Sequence, residues 1–100
     1  MDFDDQVIEK EETIITQPKQ WRVIIFNDDR TTFDFVIFLL CTVFHHTPER
    51  AAEITIQVHE DGSGTAGVYS EEIAEEKTEE ARKLIAQTPF PLKVDCEPID

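Results

Sequence analysis

The chain has 100 residues, the size of one domain, and 22 Asp and Glu against 9 Lys and Arg give it a net charge of −13. Nucleic acids and anionic membranes are bound by basic residues, so we expect neither as a partner. The two cysteines lack a CxxC spacing and no motif for a cofactor is present, so neither a metal nor a cofactor is expected. No secretory signal opens the chain, which predicts a cytoplasmic protein, and we expect a monomer.

The N-terminal segment differs from the rest in composition. Residues 1–12 contain six acidic residues and one base, and Pro18 separates the segment from the first predicted strand. We predict a flexible acidic extension over residues 1–19 and a core domain over residues 20–100. Composition alone favours a simpler interpretation, in which the extension only keeps the protein soluble.

The core is predicted to begin with a buried strand and a helix. Residues 21–26 are β-branched and aromatic and run into the polar turn Asn27-Asp28-Asp29. Thr31 and Asp34 fit a capping box, which predicts a helix from there to about His46. This helix is apolar nearly all round, so we expect it to lie at the centre of the molecule.

A second helix and a second strand come next. Thr47-Pro48-Glu49 is typical of a helix start, and the helix should end before Gly62, with Ile56 on its mixed apolar face. All three glycines of the protein lie between residues 62 and 67, which predicts a turn. The strand at residues 65–69 should then bend or pack closely against another backbone.

The chain should end with a helix and a strand. Ser70 is the predicted cap of a helix over residues 71–87, whose apolar stripe includes Ile73, and residues 92–96 form the last strand. The order β-α-α-β-α-β predicts an α+β fold. We expect a three-stranded antiparallel sheet with three helices packed on one face.

Polar residues in two places could carry chemistry. Asn27-Asp28-Asp29 comes after a buried strand, where capping of the next helix is the simplest role and a cluster of acceptors at a cleft is the alternative. His59 lies near the end of the second helix, and Thr55 is one turn before it. Acid–base catalysis by Asp28, Asp29 and His59 is a minor possibility, because no nucleophile stands out. His45 and His46 are adjacent and do not form a facing pair.

Further landmarks occur in order along about four fifths of the chain. They are Val23-Ile24-Ile25-Phe26-Asn27-Asp28-Asp29, Thr31, Phe35-Val36-Ile37, Glu49-Arg50-Ala51, Val58-His59, Gly67-Val68-Tyr69, Glu72-Ile73-Ala74-Glu75 with Lys77, and Pro91-Leu92 with Cys96. From about residue 21 to residue 98 the chain therefore resembles the ClpS adaptor family. The combination of NDD-x-T, VH, GVY and E-x-A-E-x-K is specific.

The resemblance implies an adaptor rather than an enzyme. Such an adaptor recognises N-degrons, which are proteins marked by their first residue, and hands them to a AAA+ unfoldase of the ClpA or ClpC type that feeds a ClpP-type protease. The implied fold is the compact domain shared with the C-terminal domain of the large-ribosomal stalk protein. In the family the leading segment is flexible and helps delivery.

The resemblance also assigns roles to the polar residues. It implies that Asn27 and Asp29 accept hydrogen bonds from the α-ammonium of the target and that His59 accepts through a neutral ring nitrogen. Asp28 is carried over only as a neighbour that shapes the turn. The first side chain of the target would enter an apolar pocket lined by Thr31, Phe33, Val36, Thr55, Val58 and Leu92.

Two pocket positions depart from the family pattern. Phe33 and Thr55 stand where methionines are common, and the second of those methionines helps to exclude β-branched first residues. We expect a shifted specificity, toward larger aromatic residues or toward Ile and Val. Alternatively, Phe33 fills the space that Thr55 leaves, or it blocks the pocket, and the protein then regulates the unfoldase without binding standard N-degrons.

A second surface is implied at the start of the third helix. By resemblance, Glu72, Glu75 and Lys77 contact the N-terminal domain of the unfoldase. Physical reasoning alone would favour an ordinary solvated acidic helix start. Arg30 replaces an aromatic residue that is common near the same contact, which leaves the choice of unfoldase open.

Overall fold

The fold is built on one central strand flanked by two others. The computed structural model describes residues 19–99. Its elements are β1 (Gln20–Phe26), α1 (Phe33–Thr42), α2 (Pro48–Asp61), β2 (Ser63–Ser70), α3 (Glu71–Ile85) and β3 (Lys93–Pro98). The strands are antiparallel in the order β2-β1-β3, and the helices cover one face. The predicted α+β fold is confirmed. The predicted extension lies outside the described residues, apart from Lys19.

The pairing of β1 with β2 contains an irregularity, and a histidine side chain is hydrogen-bonded to the backbone there. Val23 of β1 pairs with Gly67 and Ile24 pairs with Thr65, so Ala66 of β2 is an extra residue in a bulge. The ring of His46 donates from Nε2 to the carbonyl oxygen of Ala66 at 2.5 Å. This side chain therefore satisfies a carbonyl that stands at the irregularity in the ladder.

The first helix begins and ends differently from the prediction. Thr32, not Thr31, is its N-cap and accepts a hydrogen bond from the Phe35 amide at 3.2 Å. The hydroxyl of Thr31 is used elsewhere, donating to Asp28 Oδ2 at 2.8 Å. The helix also ends at Thr42 rather than near His46, because the chain turns and His45 takes a left-handed φ of 59°.

The other two helix starts are as predicted. The side chain of Thr47 accepts from the Arg50 amide, and that of Ser70 accepts from the Ile73 amide. Helix α2 ends at Asp61, before its C-cap Gly62. The φ of +91° at Gly62 is easily adopted only by a residue without Cβ. Helix α3 ends at Ile85, two residues before the predicted end.

The core lies between the sheet and the helices. Val23 and Ile25 of β1 and Leu39 and Leu40 of α1 are fully buried in it. Helix α1 is apolar nearly all round, but one side of it faces solvent, because Phe38 is 52% exposed. The predicted inward faces also included Ile56 and Ile73, and both are exposed.

The glycines of β2 allow close approach, as predicted, and a Cβ on Gly64 would lie 3.7 Å from the backbone nitrogen of Val58. A Cβ on Gly64 would lie 2.8 Å from Val58 Cγ2 of α2, and a Cβ on Gly67 would overlap the ring of Tyr69.

Across residues 19–99, no helix is long and apolar enough to cross a membrane. The same part of the chain holds no cluster of three or more His, Cys, Asp or Glu side chains that could bind a metal ion.

Candidate functional site

The turn after β1 is held in place by two sets of hydrogen bonds. The backbone N–H of Asn27 donates to the Gly62 carbonyl at 2.9 Å. This bond joins the end of β1 to the end of α2. Asp28 Oδ2 accepts from the Arg30 amide at 3.1 Å and from the Thr31 hydroxyl. Asp28 therefore orders the turn, as expected from its Asx-type position. Asp29 is exposed at the tip.

This turn borders a cavity of about 220 Å³ between β1, α1, α2 and the segment before β3. The cavity is lined by Asn27, Asp28, Asp29, Thr31, Thr32, Phe33, Val36, Thr55, Val58, His59 and Leu92. All nine residues expected to bind an α-amino group or to form the apolar pocket are in this set. Thr32 was not predicted as a lining residue, although its place beside Thr31 could have indicated it.

The polar side chains at the mouth of the cavity are available for a ligand. Asn27, Asp29 and His59 are all exposed. Their side chains make no hydrogen bond or ion pair with any other residue in the described part of the chain. The ring of His59 meets the ring of Phe33 edge to face, with 5.2 Å between centroids. These acceptors can therefore bind an incoming donor without first breaking an internal bond.

The interior of the cavity is apolar. Val36, Val58 and Leu92 are all buried, with Leu92 the most exposed of the three at 7%. Thr55 is also buried, and its hydroxyl donates to the Ala51 carbonyl at 2.7 Å. Because this hydroxyl already has a partner within α2, it adds no unsatisfied polar group to the wall.

The chemistry of the site is that of binding a cationic, partly apolar group. Acceptors lie at the mouth, including the carboxylates of Asp28 and Asp29, and hydrocarbon lies below them. Among the described residues, the lining contains no Ser, Cys or Lys. The side chains of Asp29 and His59 are not hydrogen-bonded to each other.

The residues expected at the second surface are only partly together. Glu72 and Glu75 line a shallow groove on α3 with Glu76, Glu79, Glu80 and Lys83. Lys77 is not part of that groove, because its ammonium donates to the Val43 carbonyl at the end of α1, at 2.9 Å. Arg30 is exposed in the turn beside the cavity.

Comparisons with known proteins give this geometry a context. The profile of the family described as "ATP-dependent Clp protease adaptor protein ClpS" matches residues 16–95. A protein of Clostridium acetobutylicum named ATP-dependent Clp protease adapter protein ClpS is 44% identical over 92% of this chain and 89% of its own length. The protein of that name from Nautilia profundicola is 45% identical, over 93% of this chain and 95% of its own.

A solved structure is similar as well. It is described as Agrobacterium tumefaciens ClpS2 bound to L-phenylalaninamide, and it matches with a TM-score of 0.79 and 34% identity. The match covers 83% of this chain and 100% of the other. The names of the relatives confirm the predicted class, which is an adaptor and not an enzyme. By sequence and by fold, this chain belongs to the ClpS family of adaptor proteins of the ATP-dependent Clp protease.

Proposed function

We propose that this protein is a cytoplasmic adaptor that binds N-degrons and delivers them to a ClpA- or ClpC-type unfoldase. One observation carries the proposal, namely a cavity with an apolar interior whose polar mouth has acceptors bonded to no other residue between 19 and 99. A free N-terminus offers an ammonium with three donors, and a bulky first residue offers hydrocarbon a bond or two away. The solved relative holds L-phenylalaninamide, which has both features.

The two halves of such a ligand contribute comparable free energies. Each hydrogen bond between the ammonium and a carboxylate or neutral acceptor contributes about 1.5–3 kcal/mol when water is excluded. Burial of a Leu or Phe side chain contributes about 1.5–3 kcal/mol. Asn27, Asp29 and His59 would supply the first part, and Val36, Val58 and Leu92 the second. Neither part alone would give tight binding, so both features of the ligand should be required.

The proposal is tested with short fluorescent peptides and anisotropy measurements. Peptides that begin with Phe or Leu should bind, whereas the same peptides with an acetylated N-terminus should not. Acetylation removes the charge and two of the three donors, and it leaves the Asp29 carboxylate covered without a cationic partner. Equal affinity for free and acetylated peptides would contradict the proposal.

Delivery requires a second contact, which we propose at Glu72 and Glu75 of α3. Both carboxylates are exposed and border the acidic groove, so they are open to a basic partner surface. Glu72→Lys with Glu75→Lys should abolish binding to the unfoldase N-terminal domain and leave peptide affinity unchanged. Glu60→Lys is the matched control, because Glu60 is exposed on α2 and lies outside the groove.

The alternative is a regulator whose pocket is blocked by Phe33. The position of Phe33 argues against this, because the residue is 45% exposed and the cavity remains open beside it. A protein that binds the unfoldase but none of the free peptides would support the alternative.

A further inference from the structure

An aromatic pair joins two elements that each contribute a residue to the cavity wall. Phe35 of α1 and Phe90 of the loop before β3 have ring centroids 5.2 Å apart at an angle of 48°. Phe35 precedes the wall residue Val36, and Phe90 is two residues before the wall residue Leu92. The ring contact therefore joins the helix that carries one wall to the loop that carries the other.

Leu92 is buried in the same core cluster as Val36, but few hydrogen bonds hold the rest of the loop in place. Pro89 and Pro91 flank Phe90 and have no N–H to donate. The amide of Phe90 donates to the hydroxyl of Thr88 at 3.1 Å, and that hydroxyl donates to the Ile85 carbonyl at 2.7 Å. These bonds shape the loop from within and from the end of α3. They do not tie it to α1, and the aromatic contact does.

We propose that Phe90 is a positioning residue that sets the separation between Val36 and Leu92, and with it the preference of the cavity among first residues. The inference rests on the proposed function, because it names a determinant of the same site. Phe90 does not line the cavity, so it would act only through Leu92. Neither the motifs nor the predicted pocket residues pointed to this side chain.

The test compares Phe90→Ala with Phe38→Ala. Phe38 is a matched control because it also neighbours Phe35, at 6.3 Å, but it lies on α1 and supports no part of the loop. Phe90→Ala should weaken binding of a Phe-starting peptide by about threefold to tenfold, which is the range that an aromatic pair provides. The ratio of affinities for Phe- and Leu-starting peptides should also change, and Phe90→Tyr should restore both values.

A purely structural role would give a different pattern. Loss of stability lowers the folded fraction but leaves the affinity ratio of the folded protein unchanged, so all affinities are measured where urea curves show each variant to be folded. Phe35→Ala and the double variant complete a cycle, in which the double variant should lose less than the sum of the two single losses. An unchanged ratio in Phe90→Ala, or an equal change in Phe38→Ala, would overturn the inference.

The inference can also be judged if the proposed function fails. Should the wild-type protein bind no peptide, crystal structures of ligand-free wild type, Phe90→Ala and Phe38→Ala decide it. A Leu92 side chain that moves away from Val36, or becomes disordered, only in Phe90→Ala supports the positioning role. Leu92 in the same place in all three structures overturns it.

Discussion

Asp29 is the residue whose charge the proposed ligand needs most. Its carboxylate is exposed at the cavity mouth and has no hydrogen-bonding partner in the region from residue 19 to residue 99. Its neighbour Asp28 uses its own carboxylate to hold the turn. Two adjacent acids thus have different tasks, one directed to the backbone and one open to a ligand.

Asp29→Asn should weaken binding of free N-terminal peptides by about tenfold or more, because a charge-assisted hydrogen bond becomes a neutral one. Stability should change little, since the side chain has no internal bond to lose among the described residues. Anisotropy and urea unfolding measure the two effects. Glu60→Gln makes the same change of charge outside the cavity, and an equal loss of affinity there would contradict a specific role for Asp29.

Thr55 is a buried residue of α2 that lines the cavity, so we expect its size to affect which first side chains fit there. Thr55→Met should lower affinity for Ile- and Val-starting peptides relative to Leu-starting ones, by about tenfold, because the longer side chain occupies space that a β-branched residue needs. Thr55→Val keeps the shape and should leave the ratios unchanged. A wild-type protein that already rejects Ile and Val would show that Thr55 does not widen the specificity.

At the scale of elements, distant parts of the fold are linked by side chains that donate hydrogen bonds to backbone carbonyls. Arg82 of α3 donates from Nε and Nη2 to the Val94 carbonyl of β3, at 3.2 and 2.9 Å. Lys77 reaches the end of α1, and His46 reaches β2. These bonds link elements that are distant in the sequence, and no local pattern indicates them.

Arg82→Ala should destabilise the protein by about 1–3 kcal/mol, because the Val94 carbonyl loses a charged donor at the junction of α3 and β3. Arg50→Ala is the control. The Arg50 side chain forms an exposed pair with Glu53, one turn along α2, and its loss should cost less than about 0.5 kcal/mol. Urea unfolding of both variants gives the comparison, and equal values would argue against the Arg82 contact as a stabilising link.

The role of Lys77 changes how an experiment on the unfoldase surface should be designed. Its ammonium is bonded within the fold, so a substitution there would disturb the end of α1 as well as any partner contact. Glu72 and Glu75 have no such internal bond in the described residues and are the better probes.

For the whole molecule, stability at high pH depends on Tyr69. Burial raises the pKa of the Tyr69 phenol above its ordinary value. Between the ordinary value of about 10 and the raised one, the folded state keeps a proton that the unfolded state has lost, so stability falls as pH rises through this range.

Tyr69→Phe should remove this contribution to the fall in the free energy of unfolding with rising pH. The measurement is the free energy of unfolding from pH about 9 to 11 for wild type and variant, where the shared lysines cancel in the difference. Tyr69 is the one tyrosine in the chain, so phenolate absorbance follows its titration directly. Parallel stability curves for the two proteins would contradict the prediction.

The acidic N-terminal segment also concerns the whole molecule. We expect it to help the adaptor deliver N-degron substrates to the unfoldase. Removal of residues 1–18 should leave peptide affinity unchanged, because the residues that we expect to bind the peptide all lie between Asn27 and Leu92. Degradation of an N-degron substrate by the unfoldase and protease should fall. Replacement by a Gly/Ser segment of equal length separates the effect of sequence from that of length, and full degradation by the truncated protein would contradict a role in delivery.

Local patterns in the sequence determined the elements and their order. Caps such as Thr47 and Ser70, the glycine at the end of α2 and the β-branched run of β1 act within a few residues, so they could be recognised without a structure. The run Asn27-Asp28-Asp29 indicated a cluster of acceptors at a cleft, whereas the residues of the cavity and the ammonium ligand came from the resemblance to the ClpS family.

Only the tertiary structure decided what each of these residues is bonded to. Thr31 donates a hydrogen bond to Asp28 instead of capping α1, and α1 ends at Thr42. Lys77 donates to the Val43 carbonyl within the fold. The contact of Phe90 with Phe35 likewise brings together residues 55 positions apart in the sequence. Such pairings depend on how the layers pack, because a donor or a ring takes the partner that the fold brings within reach.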